Sequence, residues 1–105
     1  MALLEWLDAR RPEAPEALRV RIARLVRDHP EWELLPREQA LLLAGECLMR
    51  DVLGAPPKTR DSALDLLAAD ACVTYAFEAA ADEPATLTSL ADRAVQRIAL
   101  LAGRG

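Results

Sequence analysis

Residues 61–82, DSALDLLAADACVTYAFEAAAD, decide the fold. Apolar or small side chains fill almost every position, and nothing in the stretch alternates like a strand. Advanced by 100° per residue, it gathers Leu66, Ala69, Cys72, Val73, Ala76, Phe77 and Ala80 on one face. Leu64, Leu67, Ala68, Ala71 and Tyr75 gather on another. An amphipathic surface helix carries one apolar stripe, so two imply neighbours on both sides. The segment is therefore expected at the centre of a helical assembly. Its neighbours come from its own chain or from a second protomer. Asp61, Ser62 and Asp65 mark an exposed edge near its start, and Thr74, Glu78 and Asp82 a polar strip in its second half. Asp70 falls between the two apolar faces, where it peeks out at a seam, pairs with an arginine of helix 2 or 5, or is a buried acid lining a pocket.

Prolines divide the rest of the chain into further helical segments. A short helix is expected over residues 2–10, with Leu3, Leu4 and Leu7 inward. Helix 2 is expected over 15–29, because Leu18, Ile22, Leu25, Val26 and His29 form one stripe of helical period. Pro15 suits its first turn and Pro30 stops it. Trp32, Leu34 and Leu35 are expected to plug one end of the core. Helix 3 is expected over 36–53, with Gly54 just past its end. The GAPPK stretch after it reads as a stiff turn, and helix 4 follows from Thr59 or Ser62 to about Ala81. Ser62 with Asp65 resembles a capping box. Helix 5 spans 84–102, with Leu87, Leu90, Ala91, Ala94, Val95, Ile98, Leu101 and Ala102 at helical spacing. The expected architecture is all-α: a single domain over residues 1–105, with four main helices, a short N-terminal helix, and helix 4 central.

Small residues sharpen the expected contact between helices 3 and 4. Ala40, Ala44 and Cys47 face Ala69, Cys72, Ala76 and Ala80, so the two backbones approach closely. A tight hairpin would set Ala44 level with Ala69 and Cys47 level with Leu66. Cys47 and Cys72 would then lie too far apart for a disulfide, and both thiols are expected free.

The chain has 105 residues, 52% of them hydrophobic and 29% charged, which fits one domain with a modest core. The net charge of −4 argues against general attraction to nucleic acid or anionic lipid. No uninterrupted apolar stretch reaches the roughly 18–20 residues that cross a membrane. The acids within the first apolar run and the lack of a basic leader do not resemble a signal peptide. A cytoplasmic location is the resulting expectation.

Chemistry-bearing constellations are sparse. One histidine rules out multi-histidine metal sites, and the two cysteines lack zinc-ligand spacing, so no metal or cofactor is expected. The acidic pairs Asp61/Asp65 and Glu78/Asp82 sit near helix ends and read as solvated. Glu46 and Arg50 form a favourable i, i+4 pair. Arg24 and His29 match an R-x4-H spacing used by one family of helical-bundle ribonucleases. The pattern is permissive, and here it ends a helix instead of starting one. Arginines concentrate early, at Arg10, Arg11, Arg19, Arg21, Arg24 and Arg27, while acids concentrate at Asp61, Asp65, Asp70, Glu78, Asp82 and Glu83. Solvated faces and internal salt bridges account for such a distribution, as does a partner-binding surface.

Two functions follow as expectations. The first is a non-catalytic interaction protein, with a protein partner or itself as a homodimer, joined through Leu64, Leu67, Ala71 and Tyr75 or through the Arg21 and Arg24 side of helix 2. The second is a small enzyme or carrier of a small-molecule ligand, with an inter-helix pocket near Asp70, Tyr75 and Glu46. A minor variant uses Arg24 and His29 as a ribonuclease does.

Overall fold

The computed structural model describes residues 2–54, 59–81 and 83–103. Its elements are α1 (Ala2–Asp8), α2 (Glu16–Asp28), a short 3₁₀ helix (Pro30–Leu34), α3 (Arg37–Gly54), α4 (Arg60–Ala80) and α5 (Pro84–Ala102). No strand occurs among the described residues. The fold is an all-α bundle with α4 at its centre. The GAPPK turn beyond Gly54 and the Asp82 end of the polar strip lie outside the described residues.

Proline and threonine set the helix starts. Pro15 stands just before α2, where its carbonyl accepts the Leu18 and Arg19 N–H groups at 3.0 and 3.1 Å. Pro36 serves α3 in the same way for Gln39 and Ala40, both at 3.0 Å. Pro84 occupies the first turn of α5, as Pro30 does that of the 3₁₀ helix. At α4 the cap is Thr59, whose Oγ1 accepts the Ser62 N–H at 3.0 Å. Ser62 is therefore a donor within the first turn, and the Ser62–Asp65 capping box does not form. Capping by Thr59 leaves Asp65 free to reach a neighbouring helix.

α4 packs along its length against α3 and meets α2, α5 and the Trp6 ring of α1 on its flanks. The α3–α4 seam is made of small residues, Ala40, Ala44 and Gly45 against Ala69, Cys72 and Ala76, all buried. A Cβ on Gly45 would stand 3.2 Å from Val73 Cγ2 and 3.4 Å from the Ala69 carbonyl oxygen. The backbones come together where no side chain separates them. Gly45 thus faces residues 69–73, two or three residues away from the expected Ala44–Ala69 register. The pairing settles on the glycine, which the expected alanine and cysteine edge of helix 3 did not include. Cys47 and Cys72 are both free.

The α2 stripe buries Leu18, Ile22 and Val26. Beyond it, Trp32 is buried and stacks on His29 with ring centroids 4.1 Å apart. Leu34 and Leu35 do not plug the core, since both are exposed, Leu34 at 89%. One 3₁₀ turn aims a single large side chain inward, and Trp32 takes that place. On α5 the expected apolar face is only half covered. Leu90, Ala94 and Leu101 are buried, while Val95 and Ile98 remain 68% and 55% exposed.

Candidate functional site

α5 touches α3 and α4 along one line of its surface, and the uncovered flank opens a groove between the three helices. The groove encloses about 240 Å³. Leu42, Gly45 and Met49 come from α3, Leu66, Ala69 and Val73 from α4, and Ala94, Ile98 and Leu101 from α5. The walls are almost wholly apolar, and Leu66 on the rim is 48% exposed. Three charged residues join them: Glu46, Asp70 and Arg97.

Two of these charges neutralise one another. Glu46 Oε1 accepts from Arg50 Nη2 at 2.8 Å, and Glu46 Oε2 pairs with Arg97 Nε at 3.3 Å. The Glu46 side chain is 8% exposed, so both of its oxygens are held in a largely dry setting. The Arg97 contact pins α5 to α3. Asp70 differs, since its residue is exposed and its carboxylate has no ion-pair partner among the described residues. It is thus the carboxylate expected to reach solvent at a seam, neither buried nor paired with an arginine among the described residues. The seam between the two faces of α4 reaches solvent at the groove, and Asp70 stands there.

The other expected site residues separate. Tyr75 lies away from the groove, edge-on to Trp6 with centroids 6.3 Å apart. Partial burial pushes its phenol pKa up, and Glu78 adds to the shift. Leu64 and Ala71 are partly buried against the core, and Leu64 lies beside Ala17, Val20 and Arg21 of α2. Of the four proposed contact residues only Leu67 is largely exposed, at 55%. That face of α4 is chiefly covered by the chain's own helices.

Arg21 is an internal strut. Its Nη1 lies 2.6 Å from Asp65 and its Nη2 2.9 Å from Asp61, tying α2 to α4. Arg24 is exposed in a shallow depression with Asp28, Asp51 and Asp65. His29 faces elsewhere, its Nδ1 2.9 Å from the Leu25 carbonyl and its ring on Trp32. The structure therefore brings Arg24 to carboxylates and His29 to the helix end. Among the described residues, no group of three His, Cys, Asp or Glu side chains gathers as a metal site. Within the same residues, no helix is long and apolar enough to cross a membrane.

The sequence reading missed two features. Arg10 and Arg37 place their guanidiniums 4.1 and 5.2 Å from the Trp6 ring centroid. Nothing in local spacing announces Arg37, which arrives from α3. The uncovered flank of α5 did carry a signal, because the apolar stripe there is broader than one neighbour can cover. The chain matches no family model, and neither a curated protein nor a solved structure is found to be similar to it.

Proposed function

We propose that this chain is a non-catalytic helical protein that binds another polypeptide, and that the contact surface is the α3–α4–α5 groove. The observation that carries the reading is the pairing of an apolar groove with an adjoining exposed stripe. Ile98 belongs to both, and Val95 continues the stripe at 68% exposure. A continuous apolar surface of this kind is a usual mark of an interaction site. The Leu64, Leu67, Ala71 and Tyr75 face supports it less well, because three of those four residues are already packed. The free thiols of Cys47 and Cys72 suit a cytoplasmic setting for this role.

A second reading makes the groove a small-molecule site, and the placement of Glu46 and Asp70 in its lining favours it. Its volume of about 240 Å³ falls below the roughly 300–1,000 Å³ of drug-sized pockets, which weighs toward side chains of a docked segment.

The test is affinity capture with the wild-type chain, the Leu66→Arg/Ile98→Arg double variant and Leu67→Arg, each checked for helical content. Bound protein should be lost with the double variant and kept with Leu67→Arg. Retention by the double variant would contradict the groove as the contact surface.

A further inference from the structure

We infer that the groove receives an amphipathic helix that carries a lysine or arginine beside its apolar ridge, and that Asp70 holds this cation. The inference rests on the groove being the contact surface. Ala91, Val95, Ile98 and Ala102 are all exposed and follow one another in steps of four, three and four residues. That is the spacing of a helix–helix seam, and it runs for about three turns. The α5 stripe thus has one half against the chain's own core and one half shaped for a further helix. An apolar groove of this form is read by anchors at i, i+3 or i+4, and i+7.

Charge selects among such helices. Both Glu46 oxygens are already engaged, by Arg50 and Arg97, and the side chain is only 8% exposed, so it is ill placed to hold a newcomer. Asp70 is the exposed lining carboxylate without an ion-pair partner among the described residues. A cation one turn along a docked helix meets it, whereas an acid there is repelled. Pairing of α5 with α5 of a second copy does not meet this requirement. Arg93 and Arg97 lie about 160° around the helix from Val95, and Arg97 is held by Glu46.

The experiment uses two synthetic helical peptides with leucine at i, i+4, i+7 and i+11. One carries lysine on both flanks of the leucine ridge, and its twin carries glutamate there. Anisotropy titrations against the full chain should show the lysine peptide binding tighter by roughly fivefold or more. Asp70→Lys should invert that order. Asp8→Lys, a reversal of the same size on α1, away from the groove and the α5 stripe, should leave the order unchanged and so controls for net charge. Equal binding of both peptides, lost in Ile98→Arg, would overturn the Asp70 assignment and keep the groove. Binding that survives in Ile98→Arg, or no binding of either peptide, would remove both. A dimer in light scattering that Ile98→Arg dissociates would make the occupant a second copy and would also overturn the inference.

Discussion

The α3–α4 pair and α5 draw on the same apolar alphabet and use it in opposite ways. In the pair, small residues bring two backbones together, and Ala44, Ala76 and Cys72 have no exposed surface at all. On α5, larger residues of one helical stripe divide, with Leu90 and Leu101 buried and Val95 and Ile98 open to solvent, while Leu100 is exposed off that stripe. The pair has closed its surfaces on itself. α5 is held by half a stripe and the Arg97–Glu46 ion pair. Closely packed small residues make a rigid centre, while a broad stripe on a peripheral helix leaves binding surface.

Substitutions can break this contrast, and the largest effect belongs to the closed region. Leu41 on α3 is fully buried, so Leu41→Ala should cost about 2–5 kcal/mol in denaturant unfolding. Leu100→Ala, the same change on the open side of α5, should cost less than about 0.5 kcal/mol. Comparable losses at both positions would erase the distinction.

A pH titration comes next. Burial pushes the Cys72 thiol up to about 12, with a small contribution from neighbouring Cys47. In the unfolded chain the thiol ionises at its ordinary value, so above that pH the folded state binds more protons than the unfolded one. Stability should therefore fall as pH rises from about 9 toward 12, by a few kcal/mol at the upper end. Cys72→Ala should flatten that fall, and an unchanged slope would show that the thiol is not enclosed.

Gly45→Ala tests how tight the seam is. Alanine gains about 0.8–1 kcal/mol of helix propensity over glycine, against the 3.2 Å approach to Val73 Cγ2. Val73 borders the groove and has room to shift, so a net gain of up to about 0.5 kcal/mol is expected. A clear loss would mean that the Ala69 carbonyl, which cannot yield as a side chain can, governs the contact. The smallest effect belongs to the open flank: Val95→Lys should change stability by no more than about 0.5 kcal/mol.

Much of the architecture is legible in residues 61–82 because helical period reports burial directly. Two apolar faces placed α4 at the centre, and the runs of alanine and cysteine announced a close partner. Periodicity shows which face is apolar, but it cannot tell whether the covering comes from the same chain. That is why Leu64 and Tyr75 read as an open contact surface although α1 and α2 pack beside them. The register slipped because it was counted back from an assumed tight hairpin, when the missing Cβ of Gly45 is what lets the backbones approach. Asp70 and Glu46 were selected from the sequence and do line one groove. The division of labour between them depends on Arg97, some fifty residues away in sequence, and no local pattern carries that information.

Hydrogen exchange under native conditions compares the two regions most directly. If α5 leans on a closed α3–α4 centre, amides near Leu90, Ala94 and Leu101 should exchange at least roughly tenfold faster than those near Ala44, Leu48, Cys72 and Ala76. Equal protection across α5 and the α3–α4 seam would contradict the account, since it would make α5 part of the same closed unit and leave no surface poised for a further helix.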